Sequence, residues 1–294
     1  NIPVRTQEGR EIRRAFLPQE GWVLLDADYS QIELRLMAHF SGDEAMLDAF
    51  RTGQDVHART ASEIFDVPLD QVTPTLRSNA KAVNFGIIYG ISGFGLARNT
   101  GVSQQEAKSF IGRYFSKYPG VKRFMDDAAL AGEEKGFAET LMGRRRYLPE
   151  LASANFNVRA FGERCAMNSP IQGTAADIIK LAMIRVRDRL RAEGLESRLV
   201  LQVHDELIVE CAVADADVLT LNLICVVKSG PRDRRACKFH RPQLRNRRKH
   251  TGAPHLHSNA FDNGLRAFGG VFVGTRPTRT MRRGPENVVQ SPLV

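Results

Sequence analysis

The feature that most constrains this chain is Leu199 to Cys211, two strand-like runs on either side of His204-Asp205. Such runs fold back as a hairpin and set Asp205 at its tip, between apolar strands. A second apolar run, Trp22 to Ala27, meets Asp28, after which Ile32, Leu36, Met37 and Phe40 recur at helical spacing. This reads as strand, turn, helix. Carboxylates at strand ends are well placed to share a metal site, and Mg2+ prefers oxygen ligands, taking one or two protein carboxylates beside substrate phosphates. Two such ions ~3.5–4 Å apart can activate a hydroxyl and neutralise a leaving pyrophosphate. The bland alternative is that each aspartate merely caps its turn.

Between these ends the pattern is mostly helical. Short helices are expected at 43–51 and 55–65, with Pro68 and Pro74 in the next loop. A longer one from Leu76 to Tyr89 is closed by Gly90, Gly93 and Gly95, and two more follow at 103–118 and 121–135 around Pro119-Gly120. Residues 137–141 and 145–148 flank Met142-Gly143 as a small hairpin. A long helix is expected over about 158–192, interrupted near Pro170 and Gly173. No internal repeat is visible.

After Asp217 the character changes. Basic clusters such as Arg245 to Lys249, with proline and glycine scattered without period, predict a poorly folded tail that holds no strand or helix. The net charge of +9 belongs to this part: 15 Lys+Arg face 3 Asp+Glu from Val218 onward, whereas residues 1–217 carry 27 against 30. Total charge therefore does not support nucleic-acid binding by the first 217 residues, and that case must rest on particular side chains. Cys165, Cys211, Cys225 and Cys237 form no CxxC pair, so free thiols and a cytoplasmic location are expected. No apolar run is long enough to span a bilayer. The first methionine is Met37, so the expectation is that other residues precede Asn1.

Arg77, Lys81, Phe85 and Tyr89, spaced by four, form one helical stripe, while Ala80, Val83, Ile87 and Ile88 supply packing positions. The stripe reads either as a solvated basic face ending in two aromatics or as a triphosphate clamp with an aromatic surface for sugar and base. Arg164, Asn168 and Gln172 repeat the same spacing, and all three donate hydrogen bonds. Donors of this kind can probe minor-groove acceptors present in every correct base pair, or simply cover an exposed helix face. Arg144-Arg145-Arg146 is a phosphate contact or a solvated turn. Gly90 to Gly95 lacks the spacing and preceding strand of a nucleotide-binding loop and reads as a helix-ending loop. In the tail, Cys237, His240, His250, His255 and His257 fit no regular zinc finger.

Asp28-Tyr29-Ser30-Gln31-Ile32-Glu33-Leu34-Arg35, then Arg77 through Lys81 to Asn84-Phe85-Gly86 and Tyr89-Gly90, then Val203-His204-Asp205-Glu206, resemble the three ordered motifs of the family A DNA polymerases, of bacterial DNA polymerase I type. Ser169 to Asp177 reinforces the resemblance, which runs from about Asn1 to Ala216. It implies an α+β fold over 1–217: a palm with an antiparallel sheet, split as about 1–50 and 136–217, around helical fingers at about 51–135. The implied activity is DNA-directed DNA synthesis in replication and repair, adding dNMP to a primer 3'-OH. By the same resemblance Asp28, Asp205 and Tyr29 hold two Mg2+ ions, and Glu206 is an accessory carboxylate. Lys81 contacts the phosphates and acts as general acid toward pyrophosphate, with Arg77 and His57 as further phosphate ligands. Gln31 lies in the dNTP site, Glu33 is the gate against a ribose 2'-OH, Phe85 stacks on the sugar and Tyr89 guards the templating position. Arg164, Asn168, Gln172 and His204 line the primer and template. The implied partners are DNA and dNTP, for a monomer without membrane or protein partner.

Two departures stand against this pattern. The thumb that family members carry before the position of Asn1 is expected to be missing. The amphipathic helix and final palm strand expected after the hairpin are replaced by arginine-rich sequence, as a frame shift near codons 212–218 would produce. The competing expectation is therefore a catalytically inactive DNA-binding remnant. A basic nucleic-acid-binding arm and a single-subunit RNA polymerase are further alternatives, the latter opposed by Glu33.

Overall fold

A computed structural model of the chain describes residues 6–216, Leu219 and the backbone of 271–276. Helix starts follow local capping chemistry. Thr6 opens α1 (Gln7–Arg14), which precedes β1 (Trp22–Tyr29) and α2 (Ile32–Ser41). Asp43 caps α3 (Glu44–Arg51), and Asp55 caps α4 (Val56–Phe65) through the His57 and Ala58 amides. Thr73 and Pro74 launch α5 (Pro74–Ile88), Ser92 launches α6 (Gly93–Thr100), and a Ser103–Glu106 capping box launches α7 (Gln104–Lys117). Each cap satisfies amides that the first turn leaves without an intrahelical partner. Proline at the first position of α8 (Pro119–Lys135) loses no helical hydrogen bond.

The hairpin of β2 (Phe137–Glu139) and β3 (Arg145–Tyr147) leads into α9 (Phe156–Ala192), then β4 (Arg198–Val203) and β5 (Glu206–Ala212). The expected mixture of helices and an antiparallel sheet is present, and so is the hairpin around His204-Asp205.

Three expectations are corrected. Residues 93–100 form a helix where a glycine-rich loop was expected, because Ser92 caps it and Gly101, at φ +77°, ends it. The long helix is unbroken through Pro170, so neighbouring contacts with α2, α8 and β2 hold it together despite one lost backbone bond. Finally, the stretch after Asp217 is not wholly without strand: β6 (Val271–Arg276) pairs antiparallel with the outer edge of β1, completing the order β4-β5-β1-β6. The candidate zinc residues of that stretch lie outside the described residues.

Alternate residues Leu25, Ala27 and Tyr29 of β1 point into the core, as do Leu207, Val209 and Cys211 of β5. They share one apolar cluster with Ile179, Ala182, Val186 and Leu190 of α9, so the long helix backs the sheet. Fully buried Leu34, Leu36 and Met37 of α2 and Ile87 and Ile88 of α5 extend that cluster toward the middle helices. The ends of β1, α2 and α5 are thereby fixed relative to one another.

Candidate active site

The strand register brings the acidic residues together. Asp28 pairs with Glu206 across β1 and β5, and the Tyr29 amide donates to the Asp205 carbonyl at 3.2 Å. The turn itself is held by His204 in a left-handed conformation, φ +56°, and by the Gln202 side-chain amide donating to the His204 carbonyl at 2.7 Å. A left-handed non-glycine residue is uncommon and is kept only where its surroundings enforce it.

Burial, then the neighbouring charges of Asp205 and Asp26, push the Asp28 carboxyl up to about 6. A carboxyl group raised in this way by neighbouring negative charge is best relieved by a cation. Asp28, Asp205 and the backbone carbonyl of Tyr29 offer oxygen donors of the kind a hard divalent ion takes. The Tyr29 phenol is buried and its pKa is raised, so only its main chain suits a ligand role. Among the described residues, no set of three or more His, Cys, Asp or Glu side chains is gathered tightly enough to hold a metal by itself. The remaining ligands must then come from backbone, solvent or substrate.

Beside the carboxylates, α5 buries Ala80, Val83, Ile87 and Ile88, whereas Lys81 and the C-cap Tyr89 are exposed and Arg77 and Phe85 half-buried. Arg77 Nε donates to Asp55 Oδ2 at 2.7 Å, so the residue that caps α4 also aims this guanidinium. Lys81 Nζ lies 6.0 Å from the Phe85 ring centroid. The His57 ring is 5.8 Å from Phe85 and is buried, unlike the exposed end of Lys81. Burial, with Arg77 and Lys81 adding to it, pushes the imidazole down to about 4, so it is neutral near pH 7.

The stripe reaches α2 through Tyr89, whose hydroxyl donates to both Glu33 carboxylate oxygens at 2.9 and 3.2 Å. Burial and Glu33 together push the phenol up to about 12. Gln31, at φ +57°, makes the sharp entry into α2 without a side-chain cap. That turn leads directly into the first turn of α2, where Glu33 accepts from the Tyr89 hydroxyl.

The polar row of α9 meets the same place. Asn168 Nδ2 donates to the Ile88 carbonyl at 3.2 Å, and Gln172 hydrogen-bonds Tyr89. A Cβ at Gly90 would stand 2.8 Å from Arg164 Cγ, so glycine there lets the α5 terminus approach α9. The row is therefore not a detached solvated face. Arg144 Nε donates to buried Asp177 at 2.8 Å, Arg145 to Glu139 at 2.7 Å, and Arg146 reaches Ser169 and Cys165. The arginine turn is thus pinned to α9 and β2. Asn84, Thr60, Tyr118 and Glu63, which sequence reasoning left without roles, form a buried polar chain ending on His57. Asn84 stands inside the second of the three sequence motifs, but its contact to His57 spans 27 residues and no local pattern announces it.

The family model described as DNA polymerase family A matches residues 1–229. The chain is 57% identical over 211 residues to DNA polymerase I of Bacillus caldotenax, covering 71% of this chain and 24% of that protein. It is 53% identical over 220 residues to DNA polymerase I of Bacillus subtilis, covering 74% of this chain and 25% of that one. The chain thus spans about a quarter of the length of these relatives. Among solved structures, the POL domain of Pol1 from M. smegmatis, in complex with DNA primer-template and dNTP, superposes with a TM-score of 0.77 at 41% identity, covering 94% of this chain and 43% of that one.

Proposed function

This chain belongs to DNA polymerase family A, and on that premise we propose that it carries the nucleotidyl-transfer site of a DNA-directed DNA polymerase acting in replication and repair. The observation that carries the reading is the meeting of Asp28 and Asp205 at one end of the sheet, close enough for the Asp205 charge to oppose ionisation of Asp28. Two Mg2+ ions held by Asp28, Asp205 and the Tyr29 carbonyl would supply Lewis-acid activation of the primer hydroxyl and charge neutralisation at the leaving pyrophosphate.

The chain's own residues do the rest. Arg77, oriented by Asp55, and Lys81 grip the triphosphate, and Lys81 is the proton donor toward departing pyrophosphate. Neutral His57 serves as a further hydrogen-bond donor to phosphate oxygen. Phe85 stacks on the sugar, and Gln31 and Glu33 border it, with Glu33 excluding a 2'-hydroxyl. The Tyr89 hydroxyl, held on Glu33, keeps that gate in place in the absence of a template. Arg164, Asn168, Gln172 and His204 face primer and template, while Glu206 flanks the metal carboxylates.

Primer extension with a matched template, dNTPs and Mg2+ tests the assignment. The expected result is extension by the full chain and its loss in Asp205→Asn. Equal extension by both proteins would overturn the metal role. Binding of primer-template without extension by either would instead support a DNA-binding remnant.

A further inference from the structure

Behind the α5 stripe runs a continuous chain of buried polar groups, from His57 to the far side of α4. Asn84 Nδ2 lies 3.1 Å from His57 Nδ1 and 3.2 Å from Thr60 Oγ1. Thr60 Oγ1 is 3.4 Å from the Tyr118 hydroxyl, which donates to Glu63 Oε2 at 2.5 Å. Thr60 and Asn84 are wholly buried, as is Tyr118, whose ring packs on Tyr114 with centroids 4.8 Å apart. Groups this deep must be satisfied by one another.

The far end sets the direction of the first bond. Glu63 is ion-paired with Arg59 at 3.3 Å and Lys117 at 3.5 Å, and a carboxylate only accepts. Tyr118 must therefore give its proton to Glu63, which leaves its oxygen as an acceptor for the Thr60 hydroxyl in competition with Asn84 Oδ1, 3.3 Å from Thr60 Oγ1; donation to Tyr118 is the arrangement in which Thr60 can accept from Asn84. Thr60 in turn accepts from one Asn84 amide hydrogen, and the other amide hydrogen points to His57 Nδ1. An Nδ1 that accepts leaves the imidazole proton on Nε2.

We propose that Asn84, Thr60, Tyr118 and Glu63 form a positioning relay that locks His57 in its Nε2–H tautomer, so that the ring offers a fixed donor beside Arg77 and Lys81. The use of that donor on a triphosphate oxygen rests on the polymerase reading; the locking itself does not. Glu63 thus acts on nucleotide binding from outside the site, through four hydrogen bonds.

The test uses the full chain labelled with 15N-histidine, the His57 signals being identified by their absence in His57→Gln. The expected spectrum of the parent chain is a single Nε2–H tautomer. Thr60→Val, which removes the hydroxyl at nearly constant shape, and Glu63→Gln, which can donate back to Tyr118, are each expected to add an Nδ1–H population. Thr60→Ser is expected to restore the single tautomer. Tyr118→Phe keeps the ring on Tyr114 and supplies a second break in the chain should either variant fail to fold. A pure Nε2–H signal in Thr60→Val, Glu63→Gln and Tyr118→Phe alike would overturn the relay. In the same samples, the dissociation constant for dATP with Mg2+ is expected to rise roughly tenfold where the tautomer mixes, the scale of one charge-assisted hydrogen bond. Mixed tautomers with unchanged dATP affinity would uphold the relay and remove His57 from the phosphate site instead.

Discussion

At the scale of single residues, the site is defined by charges held where water screens them poorly. Replacing Asp205 by Asn removes one like charge from Asp28, so the Asp28 carboxyl is expected to titrate below its present value of about 6. It is not expected to reach 3.8, because burial is the larger cause and remains. Carboxyl carbon NMR of the two proteins without metal measures this, and an unchanged Asp28 midpoint would mean that the two carboxylates are not coupled. His57 makes the opposite kind of statement. Its folded value of about 4 lies below the ordinary 6.5, so between these values the unfolded chain binds the extra proton. Stability from His57 is complete above about pH 6.5 and is lost as pH falls toward 4, by on the order of 3 kcal/mol. Urea unfolding at pH 7.5 and 5 is expected to show a larger loss for the parent chain than for His57→Gln, and equal losses would contradict a buried neutral imidazole. Sequence could suggest His57 through its resemblance, but its burial and its partner Asn84 come from the approach of α4 to α5, which no spacing rule contains.

At the scale of elements, legibility followed periodicity and failed where packing overrode it. The four-residue spacing of Arg77, Lys81, Phe85 and Tyr89 announced a helix, and the structure forms one over Pro74–Ile88 with Tyr89 as its C-cap. Capping explains the rest of that helix, since Thr73 and Pro74 start it two residues earlier than the apolar pattern does. The glycine-rich stretch hid α6, although Ser92 and Gly101 bracket it as cap and terminator. Pro170 suggested a break in α9 that its neighbours do not permit. One of those neighbours, α8, comes very near: a Cβ on Gly132 would lie 2.7 Å from the Ala166 Cβ. Ala166 is a short, fully buried side chain that cannot swing aside. Gly132→Ala is therefore expected to push α8 from α9 and lower stability by about 1–2 kcal/mol, even after the gain of about 1 kcal/mol in helix propensity. Chemical denaturation checks this, and a more stable variant would mean that the two helices part freely.

For the whole molecule, the sheet joins residues far apart in the chain, and this is where sequence reading was weakest. The β4–β5 hairpin and β1 were legible because each carries its own apolar run, and the acidic motifs fixed which ends meet. The partner on the other edge of β1 was not, because Val271–Arg276 is short, contains Gly274 and stands amid arginine-rich sequence. Its backbone nevertheless pairs with Leu24 through Tyr29, so β1 is an inner strand with neighbours on both sides. This bears directly on the site, since Asp28 sits opposite Phe272 on one side and Glu206 on the other. An inner strand has both edges occupied and exchanges its amides slowly, whereas an edge strand presents half of them to water. Gly274→Pro removes a backbone donor from β6 and disrupts its pairing opposite Asp26. Hydrogen exchange of the segment 22–29 is expected to be slow in the full chain and faster by an order of magnitude or more in Gly274→Pro, with α5 unaffected. If protection of 22–29 were the same in both proteins, β6 would contribute nothing to holding Asp28, and the carboxylates would depend on the β4–β5 hairpin alone.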